Sequence, residues 1–175
     1  TEQPLTEVVR NRDVSWVQVK DSESALARIA ANYNGSPSSG MHVVGITGTN
    51  GKTTSAFFTE AVLQSGGHAT GLLGTVTQRW PGVEERAEMT TPDAVQLQET
   101  LARMRRAETT AAVLEVSSHA IEQRRVEALN FSVATFTNLS QDHLDYHGTM
   151  ESYGATKTRL FTELLPASEG AKGAV

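Results

Sequence analysis

One short stretch constrains this chain more than any other: an apolar run turns through glycines into a lysine and two threonines. Residues 43–46 are typical of a buried strand, and Gly48 and Gly51 allow backbone N–H groups to approach an anion closely. A helix that begins near Lys52 would add the positive end of its dipole, and the lysine would add a point charge. The stretch therefore predicts a phosphate-binding loop between a strand and a helix.

The predicted loop departs from the general G-x-x-x-x-G-K-[ST] pattern, because Ile46 occupies the position of the first glycine. We expect Gly48 to supply the backbone freedom that a glycine at the first position would give. We expect the Thr53 hydroxyl to serve as a ligand of Mg²⁺ beside the phosphates of ATP. The alternative is a glycine turn that only joins a strand to a helix. The predicted nucleotide-binding residues are Gly48, Thr49, Asn50, Gly51, Lys52, Thr53 and Thr54.

Composition limits the partners of such a site. The 175 residues include 20 acidic and 15 basic side chains, a net charge of −5, and no basic block, which argues against a nucleic-acid partner. The absence of cysteine excludes disulfides and leaves any metal to oxygen and imidazole ligands. No apolar run reaches the ~18 residues of a membrane span, so we expect no membrane insertion and a cytoplasmic location.

The chain divides near residue 40. Residues 15–19 alternate like a short strand, a helix is predicted from about Asp21, and residues 34–40 form a glycine- and serine-rich linker. We interpret residues 1–40 as the C-terminal tail of a preceding domain plus this linker, and residues 41–175 as a nucleotide-binding domain that is truncated. The predicted buried stripe of the first helix is Ala25, Leu26, Ile29, Ala30 and Tyr33.

From residue 41 onward, strands alternate with helices. Strands are predicted at 43–46, 68–76, 110–116 and 131–136, with a polar hairpin or loop over 78–88. This order predicts the α/β class: a P-loop-type, mainly parallel sheet with helices on both faces, in which the ends of 43–46, 111–116 and 131–137 converge.

Two of the intervening helices carry sequence markers. In the helix after the loop, we expect Phe57 with Ala61 and Phe58 with Val62 to mark buried faces. In the next helix, Thr91 is the predicted N-cap, Pro92 takes the first helical position, and Asp93 favours the positive end of the dipole.

Glu115 interrupts an apolar run that otherwise reads as a buried strand. A buried carboxylate is costly unless it is paired or bound to a cation. An acid at a strand end after a phosphate-binding loop is typical of a nucleotide-hydrolysing site, where it faces Mg²⁺. The alternative is a carboxylate that caps a helix near Ser117.

Lys157 falls on an apolar helical stripe over residues 151–164 that also contains Tyr153, Leu160, Phe161 and Leu164. A desolvated lysine has a readily shifted pKa and can react as a free amine, so a role near the metal or the phosphates is one interpretation. The other is a lysine that snorkels past Tyr153 to solvent.

The segment 137–148 follows a strand end, where ligand-binding loops of open α/β sheets usually lie. His143 and His147, with Asp142 and Asp145, are candidate metal ligands. Two histidines four residues apart share one ion only on a helix, and Gly148 favours a loop, so a structural role for the pair is the alternative.

Taken together, these residues resemble the central ATPase domain of the Mur ligase family, and most closely its UDP-N-acetylmuramoyl-tripeptide synthetase type. The matching stretches run in order from about residue 16 to 165. They are Gly48 to Thr54, Thr90-Thr91-Pro92-Asp93, Glu115-Val116-Ser117-Ser118-His119-Ala120, Gln123-Arg124-Arg125-Val126, 137–148 and Lys157-Thr158-Arg159-Leu160-Phe161.

The resemblance implies an ATP-dependent amide ligase of peptidoglycan precursor synthesis that works with Mg²⁺. Such an enzyme activates the carboxylate of UDP-N-acetylmuramoyl-L-Ala-D-Glu as an acyl phosphate, which the amine of a diamino acid, meso-diaminopimelate or L-lysine, then attacks. A monomer is expected. Because the family has three domains, we expect these 175 residues alone not to form the amide bond.

The resemblance also assigns roles to individual residues. Lys52 and a carbamylated Lys157 are the implied catalytic residues, and Thr53, Glu115 and His143 are the implied metal ligands. The implied substrate-binding residues are Thr90, Thr91, Ser117, Gln123 and Arg125.

Two other functions remain open at this point. A folylpolyglutamate synthetase shares the same type of loop, although Ser117-Ser118-His119 and residues 142–147 favour the Mur side. A non-catalytic nucleotide-binding module is also possible, but it would not require Glu115, His143 and Lys157.

Overall fold

The computed structural model describes residues 17–168 and 173–175. Seven strands form one sheet with the spatial order β4-β3-β2-β5-β1-β6-β7. The strands are β1 His42–Thr47, β2 Thr70–Leu73, β3 Thr77–Trp80, β4 Val83–Arg86, β5 Ala111–Glu115, β6 Val133–Phe136 and β7 Gly173–Ala174.

Helices occupy most of the connections between the strands. They are α1 Ser22–Tyr33, α2 Lys52–Ser65, α3 Ala94–Arg106, α4 Ser118–Glu122, α5 Leu144–His147, α6 Met150–Arg159 and α7 Leu165–Ala167. A 3-10 turn spans Pro37–Gly40, and a π-helical turn spans Leu160–Leu164 between α6 and α7. Among the helices in the described ranges, none is both long and apolar enough to cross a bilayer.

The predicted mainly parallel sheet is confirmed. Strands β2, β5, β1, β6 and β7 are parallel to one another, and β3 and β4 add an antiparallel hairpin beside β2 at one edge. That hairpin, residues 77–86, matches the predicted polar segment 78–88 except for Thr77, and its turn contains Gly82 with a φ of 81°. The part predicted as one strand over 68–76 is β2 followed by a turn into β3, because the chain reverses after Leu73.

The predicted convergence of strand ends is also confirmed by the register. Ile46 of β1 pairs with Glu115 of β5, and Thr47 pairs with Phe136 of β6. The strands are parallel, so the segments that follow them leave the sheet at the same edge. The glycine-rich loop, the end of β5 and the segment after Phe136 therefore lie side by side.

The core lies on both faces of the sheet, as predicted. On one face, α2 packs through Ala56 against Val44, Ile46 and Leu72. On the other face, residues of α3 and the chain end pack against Val43 and its neighbours, including Leu97, Leu101, Met104, Leu114, Phe131 and Leu160. Successive side chains of a strand point to opposite faces, which explains why Val43 and Val44 belong to different clusters.

The predicted buried pairs of α2 are wrong in part. Phe58 is 70% exposed and Val62 is 71% exposed, and Ala61 is also exposed. The buried residues of α2 are Ala56 and Glu60, four positions apart on one face. Phe58 is two residues beyond Ala56, about 200° around the helix, so it points away from the sheet.

The predicted stripe of α1 is likewise mostly wrong. The buried residues are Ala27, Ala30 and Ala31, through which α1 packs against α3. Leu26 and Ile29 are exposed, and Tyr33 is 90% exposed. Small side chains allow two helices to pack closely, so α1 buries its alanine face and not the face that carries larger apolar side chains. Of the predicted strand at 15–19, residues 15 and 16 lie outside the described residues, and 17–19 form no strand.

Two helix boundaries differ from prediction. Asp93, not Thr91, is the N-cap of α3, and its carboxylate accepts hydrogen bonds from the N–H groups of Val95 and Gln96 at 2.9 Å. The short carboxylate of Asp93 reaches two free N–H groups, which leaves the Thr91 side chain for another contact. The predicted helix over 151–164 is α6 followed by the π-helical turn.

Candidate active site

The glycine-rich loop joins β1 to α2. Gly48 has a φ of 141°, and a Cβ at this position would lie 1.9 Å from Thr137 Oγ1, so only glycine fits. Gly51 adopts a left-handed conformation at the N-cap of α2 and supplies no side-chain cap. The first N–H groups of a 14-residue helix are consequently left for an anion.

Hydrogen bonds hold this loop against the segment after β6. The N–H of Thr49 donates to Asn138 O at 2.9 Å, and the N–H of Asn50 donates to Asn138 Oδ1 at 3.1 Å. In return, Asn138 Nδ2 and Thr137 Oγ1 donate to Asn50 O at 3.0 and 2.7 Å. The two segments form one rigid unit at the sheet edge.

The Thr49 hydroxyl is at the centre of this unit and is largely buried. It donates to Ser140 O at 3.1 Å and accepts from Ser140 N at 3.0 Å. Its single proton is then in use, so the Tyr153 hydroxyl, 3.2 Å away, must donate to it. Thr49 therefore shapes the loop through its side chain and faces a ligand only through its backbone.

Two lysines converge on one carbonyl of the loop. Lys52 Nζ donates to Gly48 O at 2.9 Å and to Thr49 O at 2.8 Å, and Lys157 Nζ donates to Gly48 O at 2.9 Å. Burial lowers the pKa of Lys52, although nearby Glu115 and Asp142 oppose that shift. The loop thus gathers two positive groups where phosphate oxygens would carry negative charge.

Lys157 is 2% exposed and lies on the buried stripe of α6, as predicted. Its Nζ lies 4.5 Å from the centre of the Tyr153 ring. Burial, together with the charge of Lys52, lowers the pKa of Lys157 to about 8, against the opposing effect of Asp142. The snorkelling alternative is wrong, because the amine ends inside the protein on Gly48 O.

Glu115 is 1% exposed at the end of β5. Its carboxylate accepts hydrogen bonds from Thr53 Oγ1 at 2.9 Å, Thr75 N at 2.9 Å and Thr75 Oγ1 at 3.1 Å. Within the described ranges, no basic side chain forms an ion pair with Glu115. The capping alternative is wrong, because the Ser117 hydroxyl caps α4 by accepting from Ala120 N.

Thr75 was not among the predicted site residues, yet it makes two of the three contacts to the Glu115 carboxylate. Its hydroxyl also lies 3.1 Å from Thr90 Oγ1. A Cβ on the preceding Gly74 would lie 2.3 Å from Glu115 Oε1, so glycine is required for this close approach. A Gly-Thr pair just after a buried strand was the only sequence signal for this residue.

The five predicted substrate-binding residues lie in one group beside Glu115. The buried Thr91 hydroxyl donates to Glu115 O at 2.8 Å and accepts from Ser117 N at 3.1 Å. Arg125 Nη1 donates to Thr91 O at 2.9 Å, and Arg125 Nε donates to Gln123 Oε1 at 3.0 Å. Thr90 joins the group through Thr75.

The predicted histidine segment forms a short helix, α5, rather than a loop. His143 precedes α5 with a φ of 51°, and its ring centre lies 4.9 Å from that of His119. His147 Nε2 lies 2.9 Å from Ser118 Oγ, and its ring centre is 5.7 Å from that of His119. Burial, followed by the neighbouring histidines, lowers the pKa of His119, so this side chain favours the neutral imidazole.

The oxygen donors around Glu115 suit Mg²⁺ together with a bound nucleotide. Across the described ranges, no group of three or more His, Asp or Glu side chains lies close enough to hold a metal by itself. Mg²⁺ is usually held by one or two carboxylates, with water and substrate phosphates as the other ligands. The buried Glu115 carboxylate beside the Thr53 hydroxyl fits that mode, and a ligand role for His143 stays a prediction.

The sequence matches the family model described as Mur ligase middle domain over residues 46–169. It is 48% identical over 159 residues to the UDP-N-acetylmuramoyl-L-alanyl-D-glutamate--2,6-diaminopimelate ligase of Geobacter sulfurreducens, covering 91% of this chain and 31% of that protein. The enzyme of the same name from Synechococcus elongatus is 53% identical over 133 residues, or 76% of this chain and 27% of the relative. The chain spans about a third of the length of these relatives.

Solved structures of similar proteins show the same fold. A UDP-N-acetylmuramoyl-L-alanyl-D-glutamate--2,6-diaminopimelate ligase superposes with a TM-score of 0.75 at 32% identity, covering 86% of this chain and 31% of that one. Escherichia coli FolC superposes with a TM-score of 0.63 at 20% identity, covering 85% of this chain and 41% of that one, which shows a shared fold only. With the family model matched over 46–169, the chain belongs to the Mur ligase middle-domain family.

Proposed function

We propose that the protein containing this chain is an ATP-dependent ligase that joins 2,6-diaminopimelate to UDP-N-acetylmuramoyl-L-Ala-D-Glu. The supporting observation is the meeting of three groups at one sheet edge: the phosphate-binding loop, the buried Glu115, and the group around Thr91 and Arg125. The relatives that match are named for this reaction. The activity is proposed for the whole protein.

ATP would be held by residues 48–54. The N–H groups at the start of α2 and the charge of Lys52 would face the phosphates, because no side chain caps that helix end. Lys52 would leave Gly48 O and Thr49 O for a phosphate oxygen, exchanging two neutral acceptors for a charged one. The rigid contacts of Asn50 and Asn138 keep the loop in place for this exchange.

Mg²⁺ would be held by Glu115 and Thr53, with His143 as a further ligand. When bound, the ion would neutralise phosphate charge and orient the transferred group. Thr75 would keep the carboxylate oriented, because its N–H donates to Oε1 and its hydroxyl donates to Oε2. The ion would also supply the cation that the buried Glu115 otherwise lacks among the described residues.

The UDP-muramoyl dipeptide would bind to Thr90, Thr91, Ser117, Gln123 and Arg125. Arg125 is the natural partner of an anionic group, because its planar fork presents several N–H donors. Its contacts to Thr91 O and Gln123 Oε1 fix the plane of that fork. The dipeptide carboxylate would thereby be brought toward the ATP site on the same sheet edge.

Lys157 would act as a carbamate. After its ammonium loses a proton, the neutral amine would attack CO₂, forming an N–C bond and losing a second proton, so that an anion replaces a cation. A pKa of about 8 leaves a useful fraction of free amine near neutral pH. The hydrogen bond from Lys157 Nζ to Gly48 O supports a position for this group beside the loop.

The reaction brings two anions together, so the site must suppress their repulsion. The substrate carboxylate attacks the γ-phosphorus of ATP, ADP leaves, and the amine then displaces phosphate from the acyl phosphate. Lys52 and the loop N–H groups would stabilise the phosphoryl charge during transfer. The binding site for the diamino acid would lie in the part of the protein beyond this chain.

The test uses the complete protein with ATP, Mg²⁺ and UDP-N-acetylmuramoyl-L-Ala-D-Glu. Release of ADP should require a diamino acid, and meso-diaminopimelate should be used far better than L-lysine. Folylpolyglutamate synthesis, measured with a folate and L-glutamate, should be absent. Activity with the folate pair, or ADP release independent of Glu115, would refute the proposal. We also propose that the protein is cytoplasmic and monomeric, and light scattering of the purified protein would check the oligomeric state.

A further inference from the structure

Arg124 occupies a backbone position that normally favours glycine. It directly follows the C-cap of α4, Gln123, and has a φ of 53°. Its N–H donates to Ile121 O at 3.1 Å, and the N–H of Arg125 donates to Ala120 O at 2.9 Å. These two bonds define a Schellman motif, in which glycine is the usual residue because any Cβ is costly there. An arginine in this place requires a compensating role for its side chain.

The side chain of Arg124 connects this turn to α1. Its Nε lies 2.6 Å from Asp21 Oδ2, and its Nη1 donates to Glu127 Oε2 at 2.7 Å. The other oxygen of Glu127 accepts from Ser24 Oγ at 2.6 Å. Asp21 is itself the N-cap of α1. Two residues at the start of α1 are thereby bonded to the turn that follows α4.

The network is more than a surface ion pair. Glu127 has only 15% of its side chain exposed, and Arg124 bridges two carboxylates at once. Burial alone would raise the pKa of Glu127, but the hydrogen bonds from Ser24 and Arg124 hold it below its ordinary value. Networks of this kind are stronger than isolated exposed pairs, which contribute little.

The side chains of Gln123 and Arg125, on either side of Arg124, point toward the proposed substrate group and not toward α1. Gln123 and Arg125 bond to each other, and Arg125 reaches Thr91 O in the proposed substrate group. Because Arg124 is in the left-handed conformation, its side chain reaches α1 while the side chains of Gln123 and Arg125 reach the proposed site. The orientation of both site residues therefore depends on how firmly this turn is held.

We propose that Arg124 is a positioning residue that holds Gln123 and Arg125 for the UDP-muramoyl peptide by clamping their turn to α1. This inference rests on the proposed function, which supplies the ligand. If Arg124 acts in this way, the position of α1, which precedes the nucleotide-binding core in the chain, affects the affinity for the substrate but not the affinity for ATP.

The experiment compares variants of the complete protein by calorimetry with UDP-N-acetylmuramoyl-L-Ala-D-Glu and, separately, a non-hydrolysable ATP analogue. Arg124→Gly keeps the backbone conformation at no steric cost but removes both contacts. The Kd for the muramoyl dipeptide should rise about five- to tenfold, with the Kd for the nucleotide within about twofold. KM for the dipeptide should rise by a similar factor while kcat changes little.

Two further variants make the test specific. Arg28→Ala removes an exposed cation 3.6 Å from Glu127 but leaves both contacts of Arg124 in place, so both Kd values should stay unchanged. Glu127→Gln removes the charge but keeps the side-chain shape, so it should weaken dipeptide binding in the same direction as Arg124→Gly. If Arg124→Gly does not fold, Glu127→Gln decides the question.

The outcomes separate the two proposals. If the parent protein does not bind the muramoyl dipeptide, the proposed function fails. If the parent binds it and both Arg124→Gly and Glu127→Gln bind equally well, the clamp is refuted while the function stands. Equal losses of dipeptide and nucleotide affinity would also refute it, because they would indicate general loosening of the domain.

Discussion

Lys52 and Lys157 donate hydrogen bonds to the same acceptor, the carbonyl oxygen of Gly48, each at 2.9 Å. The two lysines lie on different helices and are 105 positions apart in the chain. Two ammonium groups so close together repel each other, which is one reason the pKa of Lys157 falls. The arrangement favours either phosphate binding at Lys52 or loss of charge at Lys157.

Replacement of Lys52 tests the nucleotide site. In the complete protein, Lys52→Ala should weaken ATP binding about 10- to 100-fold, because a charge-assisted hydrogen bond to phosphate is lost. Isothermal titration calorimetry measures this directly. Lys20→Ala, at an exposed position outside the site, serves as the control and should bind normally. Unchanged affinity in Lys52→Ala would contradict the assignment.

Replacement of Lys157 tests the proposed carbamate. Lys157→Ala should reduce turnover at least about 100-fold while ATP affinity changes less than about threefold, since the group acts on the transferred charge rather than on ground-state binding. Short carboxylic acids should restore part of the turnover by placing an anion in the vacated space. Enzyme labelled with ¹³CO₂ should show a carbamate carbon by NMR that Lys157→Ala lacks. Near-normal turnover in the variant would rule out the role.

The pH dependence of stability follows from the same lysine. Its pKa is about 8 when folded, below the ordinary 10.5, so the unfolded chain binds more protons between these values. Without CO₂, the charged amine therefore destabilises the fold below pH 8, and stability rises with pH from about 8 to 10.5.

Lys157→Met removes this titration. In CO₂-free buffer the variant should be more stable than the parent at pH 7, by about 1 to 3 kcal/mol, and the difference should shrink toward pH 10. Urea unfolding across this pH range measures it. A pH-independent difference would show that the lysine does not lose its proton inside the protein.

Thr75 is expected to set the affinity for Mg²⁺ through Glu115. Thr75→Val removes the hydroxyl contact to the carboxylate but keeps the backbone N–H contact and the side-chain shape. The Mg²⁺ concentration for half-maximal nucleotide binding should rise about tenfold, in line with other residues that orient metal ligands. Thr75→Ser retains the hydroxyl and should behave like the parent. Equal metal dependence of both variants would refute this role.

The local features of the site could be predicted from the order of residues alone. A glycine-rich turn before Lys52 and an acid ending a buried strand have few other physical explanations, and both were found where predicted. The alternation of strands and helices determined the parallel sheet, because parallel strands need crossover connections. Lys157 on an apolar stripe was visible in the same way, because helical periodicity can be read directly from the chain.

Which helix faces are buried, and which distant groups meet, became clear from the three-dimensional packing. Larger apolar side chains on α1 and α2 point outward, because alanines allowed closer packing against α3 and the sheet. The contacts of Thr75 with Glu115, and of Arg124 with Asp21, join segments 40 and about 100 residues apart. Such contacts depend on strand register and helix placement, which arise from the summed packing of the whole domain, so no local pattern encodes them.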